Sequence, residues 1–305
     1  MRISTTALLG LLLLTCTAFA AEPAKTKKAL YIGMDGTRFD ALQAAEAPNL
    51  DRLIKDGIYA DNCLILGERY QKNDTISGPG WSTILTGVWA DKHGVHDNSF
   101  KGKNYEAFPH FFARIRAQKP DARLVSLITW SPIEDHIVSH ADVHKKYEDS
   151  SKDYAKFDAS AAEEAVTQLA DPKLDCLFLY FGQVDETGHK HGFHPTVKEY
   201  RAGIERVDAH IGKVLEALAK RETLQNEDWL IVVTSDHGGQ GTNHSNGHKV
   251  PEILNSFMVV SGESAKRGQF EEQTYLVDPV VTVLAHLGVK LQDDWKLDGQ
   301  PRGLK

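Results

Sequence analysis

The sequence predicts an α/β fold: a mostly parallel central sheet flanked by helices on both faces. Three observations carry this. Unbroken apolar runs such as ALYIGM, LDCLFLYF and WLIVVT have the length and composition of strands buried on both sides. Between them lie stretches with helical spacing of apolar residues, so strand and helix patterns alternate along the chain. Each of these runs is also followed, at once or within a few residues, by an aspartate, and open parallel sheets build their sites outside the carboxyl ends of the strands.

Taken in order, Ala29–Met34 is the first strand and ends at Asp35-Gly36. Pro48–Asp56 has helix spacing and stops at Gly57, and Ala60–Leu66 is the next strand. Ser77 then precedes Gly78-Pro79-Gly80, a tight turn with free backbone N–H groups, and Trp81–Thr86 reads as a helix closed by Gly87. The positive end of that helix faces Ser77 and suits an anion, although an ordinary helix start would look the same locally. Phe108–Gln118 is helical, Ala122–Trp130 a strand, Ala159–Leu169 a helix and Leu174–Phe181 a strand. Tyr200–Leu218 is a long amphipathic helix, Trp229–Thr234 and Ser256–Val260 are strands, and Pro279–Leu287 is the last helix. No internal repeat or linker rich in Pro, Gly or Ser interrupts the series, so a single catalytic-sized domain over 21–305 is expected.

Residues 1–20 combine a basic start, an apolar run from Ala7 to Leu14 and the small-x-small signal Ala18-Phe19-Ala20, the pattern of a signal peptide. The run is too short to span a bilayer, and Thr15 disfavours lipidation of Cys16. The expected destination is the periplasm or the exterior, with no membrane span after processing. Cleavage removes Arg2 and no acid, taking the net charge from −7 to −8. Basic residues are scattered apart from Lys25, Lys27 and Lys28, so no nucleic-acid groove is indicated. Cys63 and Cys176 both sit in apolar, strand-like surroundings and are expected as buried thiols, with a disulfide as the alternative an exported protein would permit.

Metal-type side chains cluster after the strands. Asp35 follows the first, Asp185 and His189 follow LDCLFLYFGQV, Asp236-His237 follow LIVVTS, and His244 comes soon after in a glycine-rich loop. Asp185 and His189 are four apart, on one side of a helix if one forms. A lone Asp after a strand is usually a cap, and an Asp-His pair at this spacing is usually on the surface. Their joint placement at one sheet edge is what points to a site.

On these residues the chain resembles the alkaline phosphatase superfamily. SGPGWSTILTG is similar to that superfamily's nucleophile segment, and DETGHKHGFHPTVKEYRAGIERVDAHIG resembles the D-x-x-x-H-x-x-G segment and following helix of its nucleotide pyrophosphatase/phosphodiesterase branch. TSDHGGQGTNH is similar to the late Asp-His-Gly metal motif, while LVDPVVTVLAHLGV and LDGQP look like the closing helix and strand. The resemblance implies an alkaline phosphatase-like α/β/α sandwich holding two zinc ions. Asp35, Ser77, Asp236 and His237 would hold one metal, with Ser77 also the nucleophile. Asp185, His189 and His244 would hold the other. Asn98 falls where the branch places an asparagine on a phosphoryl oxygen, although Asp97-Asn98-Ser99 is also a plain turn sequence.

A ligand set of three histidines, three aspartates and a serine favours zinc over calcium or magnesium, which prefer all-oxygen sites. The expected reaction is attack of Ser77 on a small-molecule phosphodiester or nucleotide pyrophosphate, through a phosphoserine. His248, four residues beyond His244, is the alternative third ligand. Trp81 stands where sulfatases carry arginine, which argues against a formylglycine sulfatase. A phosphomonoesterase or sulfatase on the same scaffold, or a degenerate anion-binding member, are the other readings. Trp130, Tyr147 and Tyr154 are candidates for stacking on a leaving group, with core packing as their alternative role.

Overall fold

The computed structural model describes residues 24–305; the signal-peptide reading over 1–20 and Cys16 therefore lie outside the described residues. The chain opens with β1 (Thr26–Met34), α1 (Phe39–Ala44), α2 (Pro48–Asp56) and β2 (Ile58–Leu64). Next come α3 (Ser77–Thr86), α4 (Ala90–His93), α5 (Phe111–Gln118), β3 (Arg123–Ile128) and β4 (Val143–Lys146). The middle of the fold is α6 (Tyr154–Leu169), β5 (Leu174–Phe181), α7 (Gln183–His191), α8 (Lys198–Ala219) and β6 (Glu227–Thr234). It closes with α9 (Pro251–Leu254), β7 (Asn255–Gly262), β8 (Gly268–Gln269) and α10 (Asp278–His286). Among the described residues no helix is long and apolar enough to cross a membrane.

The strands form one sheet in the order β4-β3-β5-β1-β6-β7-β2-β8. β4, β3, β5, β1 and β6 pair in parallel, whereas β7 runs antiparallel to both β6 and β2. Alternation along β1 explains why its run is apolar throughout. Leu30, Ile32 and Met34 join the core under α8 with Leu177, Leu179, Ile204 and Val207. Tyr31 points the other way, into the core formed with Trp81, Phe111, Phe178 and Val280. Register then builds the edge: Gly33 lies level with Tyr180 on β5 and with Thr234 on β6, so Asp35 and Asp236 emerge side by side just past the strand ends.

One glycine in β1 is required by what lies over it. A Cβ on Gly33 would stand 2.3 Å from Cη2 of Trp81, so the indole is seated directly on the strand backbone.

Three expectations are corrected. α3 begins at Ser77, so Gly78-Pro79-Gly80 is the first helical turn rather than a turn before the helix. Pro79 is tolerated because amides this early in a helix have no intrahelical acceptor, and Gly80 N–H already bonds Ile76 O at 3.1 Å. The N–H of Gly78 is not free either: it donates to Asn98 Oδ1 at 2.7 Å. Finally, LDGQP forms no strand; its Asp298 accepts from Trp89 N and pairs with Arg69 and Lys92, tying the tail across the end of α3. Cys63 and Cys176 are both buried free thiols, as expected.

Candidate metal centre

All seven residues singled out as ligands meet at the carboxyl edge of β1, β5 and β6. Asp35, at the end of β1, is nearly fully buried. Its Oδ2 accepts from Tyr180 Oη at 2.6 Å and from Trp81 Nε1 at 2.7 Å. These two neutral donors fix the carboxylate so that Oδ1 faces inward, 3.3 Å from Ser77 Oγ and 3.6 Å from His237 Nε2. Burial, and then the charge of Asp185, push Asp35 up to about 6 against the pull of His237, Tyr180 and Trp81.

Asp236 follows β6. Its Oδ1 accepts from Gly36 N at 3.2 Å, while Oδ2 is buried without a hydrogen-bond partner, 3.2 Å from His237 Nε2. Burial and the charges of Asp35 and Asp185 hold this carboxyl well above the usual range. Asp185 lies in the first turn of α7, and its Oδ1 is likewise buried and unpartnered. Three carboxylates so close together, two with orphaned oxygens, are electrostatically incomplete without positive charge.

The histidines supply the complementary signal. Each uses Nδ1 on a backbone carbonyl: His237 on Gly238 O at 2.9 Å, His244 on Thr75 O at 3.1 Å and His189 on Thr242 O at 3.0 Å. A carbonyl only accepts, so each Nδ1 carries a proton and the neutral form of each ring has its lone pair on Nε2; the Asp185 carboxylate beside His189 pushes that imidazole up to about 9. These Nε2 atoms converge. His244 Nε2 is 2.9 Å from His189 Nε2 and 3.5 Å from Asp185 Oδ1, and His189 Nε2 is 3.4 Å from Asp185 Oδ2. Carbonyl-anchored imidazoles with inward Nε2 atoms are the usual outer support of metal-binding histidines.

Two groups have ligand atoms within 4.8 Å of one another: Asp35, Asp236 and His237, and Asp185, His237 and His244. His237 stands between them, stacked on His244 with ring centroids 3.7 Å apart. His189 adjoins the second group from its more exposed side. His248 is in neither; its Nε2 bonds Asn73 O at 2.8 Å.

That contact belongs to a latch invisible in the sequence. The segment leading to Ser77 and the loop carrying His244 are joined by Thr75 Oγ1 to His244 O at 2.6 Å, Gly247 N to Thr75 Oγ1 at 2.8 Å and Asn246 N to Asp74 Oδ1 at 2.6 Å. The Ser77 segment and the His244 loop are thus held as one piece.

A cavity of about 340 Å³ opens over Ser77 and is lined also by Asn98, Trp130, Tyr154, Asp185, Glu186, His189 and His244. Trp130 and Tyr154 are therefore placed to meet a bound group, whereas Tyr147 packs against the core under α6 and α8. Sequence reasoning missed Tyr180 and Glu186, and it noted Trp81 only for what it is not. A tyrosine inside an apolar strand run, or a tryptophan inside a helix, gives no sign of its hydrogen-bond partner.

Residues 29–290 match the family profile described as type I phosphodiesterase/nucleotide pyrophosphatase. The chain is 25% identical over 234 residues to human ectonucleotide pyrophosphatase/phosphodiesterase family member 7, covering 69% of this chain and 47% of that protein. It spans about half the length of the curated relatives it matches. Among solved structures, murine ectonucleotide pyrophosphatase/phosphodiesterase 5 in complex with AMP superposes with a TM-score of 0.65 at 16% identity, over 87% of this chain and 96% of that one. A 2-O GAG sulfatase superposes with a TM-score of 0.69 at 14% identity, over 91% of this chain and 73% of the other. At such identities the structural likenesses speak to the fold.

Proposed function

Because the chain belongs to the type I phosphodiesterase/nucleotide pyrophosphatase family, we propose that it is an exported hydrolase of phosphodiester or pyrophosphate bonds in nucleotide-type substrates, holding two zinc ions and working through a phosphoserine at Ser77. The observation that carries this reading is the convergence of three inward-facing imidazole Nε2 atoms and three buried aspartates around one serine hydroxyl.

The residues fit zinc. Nitrogen and oxygen donors are mixed, Asp185 Oδ1 and Asp236 Oδ2 have no hydrogen-bond partner, and the Nε2 atoms of His189 and His244 face each other across 2.9 Å. Asp35, Ser77, Asp236 and His237 hold one ion in this reading, and Asp185, His189 and His244 hold the other. When bound, the pair would supply Lewis-acid chemistry, lowering the pKa of the serine hydroxyl and offsetting charge at the leaving oxygen.

The protein's own part is positioning. Trp81 and Tyr180 turn Asp35 so that Oδ1 faces Ser77, and the opening turn of α3 presents Oγ to the cavity. Oγ forms a bond to phosphorus as the bond from phosphorus to the leaving oxygen breaks; water then cleaves the phosphoserine and restores the hydroxyl. Asn98 commits Oδ1 to Gly78 N–H, which leaves its NH₂ to donate to a non-bridging phosphoryl oxygen. Gly78 N–H is spent on Asn98 and so acts through that side chain rather than on the phosphate itself.

Purified mature protein, zinc-loaded, tests the reading against bis-aryl phosphate, aryl phosphate and aryl sulfate. The diester is expected to turn over fastest, with activity lost on chelation and restored by zinc. Fastest turnover of the sulfate, or activity indifferent to zinc removal alongside a single bound calcium, would overturn it.

A further inference from the structure

We propose that Asp158 is a positioning residue that fixes the start of α7, and through it Asp185 and His189, two of the three second-site ligands. This rests on the metal reading given above. Asp158 lies on α6, is fully buried and is not part of the cavity lining. Its Oδ1 accepts from Thr129 Oγ1 at 2.8 Å and Gly182 N at 3.1 Å, and its Oδ2 accepts from Gln183 N at 3.0 Å.

A helix leaves its first amides without intrahelical acceptors, and a capping side chain normally satisfies some of them. α7 cannot do this for itself, because its N-cap residue is Gly182. A carboxylate from another helix takes over that task, and the positive end of α7 favours a negative group there. Thr129, just past the end of β3, completes the anchor by also accepting from Gly182 N at 3.0 Å. The start of α7 is therefore bonded to two separate elements. Asp185 is the third residue of the helix and His189 lies one turn further on the same side, so a shift of the anchor displaces both ligands together. Glycine at 182 serves the same end, since a Cβ there would press on the ring of Tyr154 at 2.8 Å.

Replacing Asp158 by asparagine keeps size and one acceptor oxygen but turns an NH₂ toward one of three donors. Metal-free mature protein is titrated with zinc against a chromogenic chelator, with far-ultraviolet circular dichroism as the control for folding. Wild type is expected to take two zinc ions. Asp158→Asn is expected to bind the first as wild type does and the second about 10- to 100-fold more weakly. Thr129→Val is expected to weaken the second ion as well, and Thr129→Ser, which keeps the hydroxyl, to restore it. Wild-type affinity for both ions in folded Asp158→Asn overturns the proposal; should that variant fail to fold, wild-type affinity in Thr129→Val overturns it. A wild-type protein that binds fewer than two ions defeats the metal reading itself, and is seen before any variant is made.

Discussion

The indole N–H of Trp81 donates to Oδ2 of Asp35 at 2.7 Å, from a ring with no solvent exposure. The position at which a sulfatase-like chain carries a guanidinium thus carries here a neutral donor aimed at a metal-type carboxylate. Trp81→Phe keeps most of the volume and removes the donor. It is expected to lower stability by about 2 kcal/mol or more and kcat by about tenfold, with Tyr180→Phe acting in the same direction at the same oxygen. Urea unfolding and zinc content check this; a Trp81→Phe protein with wild-type stability and metal content would show that the contact does not orient Asp35.

Ser77 is expected to be replaceable by threonine with measurable activity, because the hydroxyl is kept. In the proposed mechanism Ser77→Ala removes nucleophile and ligand together, and it is expected to lose at least about a thousandfold in rate. Stereochemistry tests the intermediate independently: two displacements retain configuration at phosphorus, so a chiral thiophosphate substrate in labelled water should give net retention. Net inversion would mean direct attack by water.

His244→Ala is expected to lose zinc and nearly all activity, whereas His248→Ala keeps both metals. His248 holds Asn73 O, a contact whose loss should cost about 1 kcal/mol and loosen the loop that His244 occupies. Metal analysis of the two variants decides; zinc loss in His248→Ala with full occupancy in His244→Ala would reassign the ligand.

Acid lability is expected from two histidines away from the candidate metal centre. His93 and His110 are fully buried and are pushed down to about 3 from 6.5, chiefly by burial and next by a neighbouring histidine. Each also accepts a backbone N–H at Nδ1, from Val95 and Phe112 respectively, which a proton there would break. Below pH 6.5 the unfolded chain binds more protons than the folded one. Stability is therefore complete above that pH and falls by about 1.4 kcal/mol per pH unit for each histidine as pH drops toward 3. Urea titrations on metal-free protein measure the slope without zinc loss contributing, and His93→Asn, which keeps an acceptor, should reduce it; an unchanged slope would clear His93.

Much of this arrangement was legible in the residues. The parallel strands announced themselves because burial on both faces forces an apolar run, and the boundary of each run marked where Asp35, Asp185 and Asp236 leave the sheet. What stayed hidden has two physical causes. β4 is VHKK at the sheet's edge, with three of its four residues exposed, so no apolar pattern reveals it; β8 has only two residues. The outer supports are hidden for another reason. Thr75, Asp158 and Tyr180 act through partners 169, 25 and 145 positions away, a relation that no local spacing encodes.

The seating of Trp81 on Gly33 also limits how this chain can vary. Any side chain at 33 would have to evict the indole, and the eviction would remove the donor from Asp35 along with it. A smaller ring at 81 would admit an alanine at 33 only by the same loss. A side chain at 33 is therefore accommodated only together with a smaller ring at 81, and the pair of changes still forfeits the donor to Asp35. Among relatives that dispense with the tryptophan, position 33 is expected to be released from glycine, a correlation that a family-wide comparison of the two sites can count.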